Sequence, residues 1–344
     1  MFKYVPVLRY RKAEIFALRN VKLSSKVLPL LEIMKEKAGL IRKGSFQSTH
    51  CQEFSSYTNP FLVDFPLYFK ITNSTYKSIR SFLGQLKRNP DLRLDLFEKL
   101  VTNKNMIPVV SYDYKNVYKI GSYISDENRL RNSFSRLGFR IFETNERDFK
   151  NVLNDIEKII QKNDILIYDI DNAPHTQPFL QARYSSIHSL KKNKGCTTVI
   201  VRSAVNPDII FNRLTDNAPV LQADNSLLSS YHNYNFDAFG DFAGIRKDSQ
   251  ITDGGPEDPS VGFLFYSWDK NCFIGYRGHL PDWGEFTNHI RPLVMSSNAW
   301  SSFSNSHIQN CPGCKLISRG PGNSAANWKQ VSIMHYLHTM EERL

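Results

Sequence analysis

Short apolar runs recur along the chain, each closed by a polar or turn residue. Eight of them can be marked: Tyr4–Tyr10, Val27–Ile33, Phe61–Phe65, Met106–Tyr112, Phe139–Glu143, Ile165–Ile170, Thr197–Val201 and Phe236–Gly240. Several, such as LPLLEI and DILIYDI, are almost continuously apolar, which is the pattern of a strand buried on both faces of a parallel sheet. Between them lie amphipathic stretches that predict helices at Ala13–Asn20, Thr75–Lys87, Asp126–Leu137, Arg147–Lys162, Pro178–Lys191 and Asn206–Leu214. Strand alternating with helix gives right-handed βαβ units. Eight such units by about residue 240 match the roughly 250 residues of a closed (β/α)8, TIM-like barrel. An open doubly wound sheet is the alternative. No Gly-rich phosphate loop follows the first run, which argues against dinucleotide binding.

The pattern then changes. TDGGPEDPS (252–260) is a loop by composition, and VGFLFYSW (261–268) with CFIGYRG (272–278) predicts a β-hairpin. A helix follows over Trp283–Ser297, and Asn327–Leu344 closes the chain as another. The division is therefore a catalytic barrel at 1–245 and an addition at 246–344 built on its last unit.

Composition narrows the function classes. No apolar run approaches the roughly 20 residues of a membrane-spanning helix, the N-terminus shows no secretory leader, and five scattered cysteines make no disulfide framework. These features predict a reduced, cytoplasmic protein. The net charge is +11, and residues 1–50 hold eleven basic groups against three acidic ones. A basic excess gathered in this way is the footprint of a polyanion partner, most often nucleic acid.

In a barrel, chemistry sits at the C-terminal ends of the strands. Those ends carry Arg9, Arg11, Glu32, Asp64, Asp113, Glu143, Asp169, Asp171, Arg202 and Asp241. So many charges at one rim are costly unless they pair, bind a metal or hold a substrate. The competing view makes half of them helix caps and loop salt bridges. The long polar connection after the second run adds Lys35, Lys37, Arg42 and Lys43, placed to hold phosphates. Tyr10, Tyr68, Tyr112, Tyr114 and Phe142 interleave as possible stacking surfaces. Cys311-Pro-Gly-Cys314 is half of a zinc signature, with His289, His307, His335 and His338 available to complete it. The plain alternative is a Pro-Gly turn between small buried thiols, and no metal or other cofactor is assigned to the reaction.

The run YVPVLRYRKAEIFAL (4–18), LPLLEI (28–33), GDFAG (240–244), YRG (276–278), the CPGC turn and the ending Trp328, His335 to His338 together resemble the beta protein family, known from T4-type phage and found widely in bacteria. The chain departs from it at Ala13, where glycine is expected, and at His335-Tyr336, where paired histidines are. The resemblance implies a barrel-like α/β fold and an association with phage defence, some similar proteins being DNA glycosylases that remove hypermodified cytosines. On that view the enzyme flips a modified (hydroxymethylated or glucosylated) cytosine from phage DNA and hydrolyses its N-glycosidic bond. Asp241, Asp169, Glu32 or Asp64 would stabilise the oxocarbenium-like sugar or activate water. Arg9, Arg11, Lys12, Lys35, Lys37, Arg42, Lys43 and Arg202 would hold the strand, and Tyr10, Tyr112, Asp171 and Asn172 the base or its sugar. The alternatives are a metal-dependent phosphodiesterase or nuclease on the same carboxylates, and a non-enzymatic DNA-binding partner in a defence system.

Overall fold

The computed structural model describes residues 1–36, 43–69, 71–73, 75–247 and 261–344. The expectations placed on Lys37, Arg42 and the 252–260 loop therefore lie outside the described residues. The strands are β1 (Tyr4–Arg9), β2 (Leu30–Glu32), β3 (Phe61–Asp64), β4 (Met106–Val110), β5 (Gly138–Phe142), β6 (Ile165–Asp169), β7 (Thr197–Val201), β8 (Ala218–Asp224), β9 (Ala238–Asp241), β10 (Gly262–Ser267) and β11 (Cys272–Arg277). The chain divides into two compact units, one of Met1–Arg11, Ser25–Arg202 and Leu227–Asp241, the other of Lys12–Ser24, Ser203–Ser226 and Phe242–Leu344.

The first unit is a closed barrel in the order β1-β2-β3-β4-β5-β6-β7-β9, and every pairing in it is parallel. Each of the eight apolar runs supplies one strand. The strands are short and buried along nearly their whole length, because helices cover one face and the barrel interior the other. Closure rests on β9, which pairs with both β7 and β1. Gly240 makes the close approach possible: a Cβ there would stand 2.5 Å from the Val5 carbonyl oxygen and 2.9 Å from Val201.

Register fixes which side chains point inward. Paired residues on parallel neighbours share a face, so Arg9, Glu32 and Asp64 lie on one side together. On the far side of the barrel, Arg140 pairs with Ile167, and Phe142 with Asp169, then Asp169 with Val201 and Val201 with Gly240. The ion pairs of Arg140 with Glu32, Asp64 and Asp169 identify this shared face as the interior.

In the second unit β10 and β11 form the expected hairpin, and β8 adds to β11 as a third antiparallel strand. The helix expected over Asn206–Leu214 does not form; only the turn Phe211–Arg213 is helical. Asn206 instead accepts from the Asp208 N–H through its side chain at 2.8 Å, a local turn that competes with helix formation. The helix expected near residue 283 is present as a wide π-type turn, Phe286–Ile290, running into Arg291–Met295. Phe263, Phe265, Tyr276, Phe286, Trp300 and Trp328 build this unit's core around the final helix, Ala325–Arg343. Among the described residues no helix is long and apolar enough to cross a membrane.

Candidate functional site

Inside the barrel, at the C-terminal end of the strands, one arginine gathers three acids. Arg140 on β5 donates from Nη1 to Glu32 Oε1 at 2.7 Å and Asp64 Oδ2 at 3.1 Å, and from Nη2 to Asp169 Oδ2 at 2.6 Å. All four side chains are fully buried. The remaining acceptors are partly filled: the Ser111 hydroxyl donates to Asp64 Oδ1 at 2.6 Å, the Asp171 N–H to Asp169 Oδ1 at 2.9 Å, and the Tyr68 hydroxyl to Glu32 Oε1. Among the described residues, Glu32 Oε2 alone of these carboxylate oxygens is buried without a hydrogen-bond partner. A buried acceptor left open is costly and so marks a place where a further donor fits.

Burial pushes the Asp64 carboxyl up, and Arg140 and Ser111 only partly oppose it. Burial alone would lower the Arg140 guanidinium, yet the neighbouring acids Asp169, Glu32 and Asp64 hold it charged, well above its ordinary value. The Tyr68 phenol is raised by burial and by Glu32, so it stays a donor. Arg9 brings a second guanidinium to the interior, in register with Glu32. Aromatic rings cover the cluster: Arg140 lies 4.8 Å from the Phe142 ring and 5.3 Å from Tyr68, and Arg9 lies 4.5 Å from Phe69. Tyr68 in turn stacks on Phe69 at 4.6 Å.

The structure thus brings Glu32, Asp64, Asp169 and Arg9 together, with Asp171 at the edge in a left-handed conformation at φ 57°. Asp241 is not among them. Gly240 faces inward, so Asp241 faces outward, where the Tyr4 hydroxyl donates to it at 2.6 Å. Tyr10 and Tyr112 also pack outside the interior, Tyr10 against Phe54 at 5.3 Å and Tyr112 against Tyr118 and Tyr123 at 5.3 and 5.8 Å. Arg202 is half-buried, with its Nε donating to the Ala173 carbonyl at 3.0 Å, and Asn172 is exposed. Lys12 and Lys43 are exposed, whereas Arg11 and Lys35 are half-buried. Of the other strand-end acids, Asp113 pairs with Lys87 at 3.1 Å, and Glu143 accepts from Tyr168 beside Arg183. In the second unit Cys311 and Cys314 are buried free thiols.

Sequence reasoning missed Arg140 and Ser111. The signal for Arg140 was present: one arginine stands in the middle of the otherwise apolar run GFRIF (138–142). In a strand buried on both faces a guanidinium has no water to reach, so it requires carboxylate partners. A separate cleft of about 280 Å³, lined by Asn103, Lys104, Asn105, Ser133 and Arg136 among others, lies near the N-terminal starts of β4 and β5. That end of a barrel serves stability rather than chemistry.

Fold and site together define a (β/α)8-barrel protein with a buried arginine–carboxylate cluster at the end of the barrel where such proteins do their chemistry. No curated protein matches the chain. A profile of the family described as "Beta protein" matches residues 4–341, nearly the whole length, and the chain belongs to that family.

Proposed function

We propose that this chain is a DNA glycosylase that flips out and excises a modified cytosine, as hydroxymethylated or glucosylated base, from phage DNA in bacterial defence. The observation that carries the proposal is the division of labour among the buried acids: Asp64 is pushed toward its protonated form, while Glu32 beside it keeps one oxygen open. Cleavage of an N-glycosidic bond needs both parts. Asp64 gives its proton to the departing base as the C1′–N bond breaks, and Glu32 Oε2 faces C1′, balancing the oxocarbenium charge and then taking the proton of the water whose oxygen bonds to C1′. Asp169 and Arg140 position the pair. The Tyr68, Phe69 and Phe142 rings supply the apolar faces on which a flipped base stacks, and entry of the base displaces the Tyr68–Phe69 cover. A metal-dependent nuclease is less well supported, because the Arg140 guanidinium fills the space between the carboxylates that a divalent ion would take.

The test uses matched duplexes with plain, hydroxymethylated and glucosylated cytosine, incubated with purified protein in EDTA. Free modified base by mass spectrometry, with strand breaks only after alkali, is the expected result. Glu32→Gln and Asp64→Asn should each reduce excision by about 10²–10⁴-fold, the usual contribution of one acid–base group, in protein shown to be folded by circular dichroism at the assay temperature. Nicking that needs Mg²⁺ would transfer the proposal to a nuclease. Intact DNA under both conditions would reject excision and leave a binding protein.

A further inference from the structure

Four metal-ligating side chains converge in the second unit, away from any role in base excision. His307, Cys311, Cys314 and His335 are all buried, and one ligand atom from each lies within 4.8 Å of the other three. The helices Asn305–Asn310, Pro312–Arg319 and Ala325–Arg343 bring them there. Cys311 caps the second of these, its Sγ accepting from the Cys314 N–H at 3.4 Å. Gly313 between the thiols allows the turn to press against the last helix: a Cβ there would stand 2.7 Å from the His335 backbone nitrogen.

We propose that His307, Cys311, Cys314 and His335 bind one zinc ion in a closed tetrahedral site that ties the last three helices together. The hydrogen bonds of both imidazoles prepare them as ligands. His335 Nε2 lies 3.0 Å from the Tyr266 carbonyl, an acceptor, so Nε2 carries the proton. The lone pair on Nδ1 then faces Cys311 Sγ at 3.6 Å and Cys314 Sγ at 3.4 Å. His307 Nδ1 lies 2.6 Å from Glu342 Oε2 and donates to it, while His307 Nε2 is buried with no hydrogen-bond partner among the described residues. A carboxylate or carbonyl behind each ligating histidine is the usual support of a zinc site, fixing ring orientation and raising basicity. Two thiolates and two imidazoles with no open position make the site structural rather than catalytic. Binding releases the two thiol protons to solvent.

A dithiol that exchanges disulfides is the chemical competitor for a CxxC turn at a helix start. That chemistry requires an accessible attacking sulfur, and Cys311 and Cys314 are both 0% exposed. The metal fits the burial and the redox role does not.

The full-length protein, purified without chelator and dialysed, should carry one zinc per chain by plasma mass spectrometry. Cobalt taken up in its place should give the intense visible bands of a tetrahedral ion and a near-ultraviolet thiolate charge-transfer band. Glu342→Gln keeps all four ligands and should weaken zinc by about 10–100-fold. Cys314→Ser should lose the ion, and the wild-type cobalt spectrum decides the matter even if that variant does not fold. Metal-free protein after expression in zinc-supplemented medium, a six-coordinate cobalt spectrum, or a native Cys311–Cys314 disulfide would each overturn the proposal.

Discussion

Asp64 shows how one residue's surroundings set its chemistry. Its side chain is fully enclosed, so the charged form loses hydration that Arg140 at 3.1 Å and Ser111 at 2.6 Å only partly replace, and its pKa rises. The sign of the stability effect follows. A carboxyl raised in the folded state contributes stability that is fully present below the ordinary aspartate range, about pH 4, and lost as pH rises through the raised folded value. Asn at this position has no charge to bury, accepts from Arg140 through its amide oxygen and donates to the Ser111 hydroxyl. Asp64→Asn should therefore gain stability relative to the wild type as pH is raised from mildly acidic to neutral, measured by urea unfolding at each pH. A relative loss over that range would mean that Arg140 keeps Asp64 ionised, and Asp64 could not then act as the proton donor.

At the scale of elements, strands buried on both faces are easy to find and hard to orient. All eight barrel strands were legible, because a helix-covered barrel demands near-continuous apolar runs. The same continuity erased the alternation that reveals facing, so Asp241 looked as well placed as Asp169 until register turned it outward. Strand β8 was missed for the opposite reason: it is a half-exposed edge strand, with Leu221 at 88% exposure, and its apolar stretch APVL is short and interrupted by a proline. Arg140 stayed hidden because its partners come from three other strands, a convergence that only the closed barrel creates. Closure itself can be tested at Gly240. The Cβ of Gly240→Ala would meet the Val5 backbone, which cannot swing aside, so a loss of about 1–3 kcal/mol is expected. Gly84→Ala is the control, since its Cβ meets nothing closer than the Arg88 guanidinium at 3.6 Å within the helix Lys77–Arg88. It should gain roughly 0.5–1 kcal/mol from helix propensity. Equal effects at the two positions in denaturant unfolding would argue against tight closure between β9 and β1.

At the scale of the whole molecule, part of the basic excess of the first fifty residues is withdrawn from solvent. The structure spends Arg9 inside the barrel, under Phe69 and 2% exposed, and half-buries Arg11 and Lys35. Among the described residues, Lys3, Lys12, Arg19, Lys22, Lys26 and Lys43 remain exposed. A count of basic residues in sequence therefore overstates the number of phosphates this region can neutralise. Each phosphate contact contributes a slope of about −0.9 to the logarithm of the binding constant against the logarithm of salt concentration. If DNA is the partner, duplex binding followed by fluorescence anisotropy over a salt series should show a slope well short of eleven contacts. Lys43→Glu should weaken binding to all sequences alike and make the slope shallower by about one unit, as loss of a backbone contact does. Arg9→Gln, by contrast, should leave the slope unchanged while lowering stability, because its side chain is buried under Phe69 rather than in solvent. A slope that Lys43→Glu leaves intact would remove this end of the chain from the DNA interface. A slope near zero for the wild type would remove the electrostatic case for a nucleic-acid partner altogether.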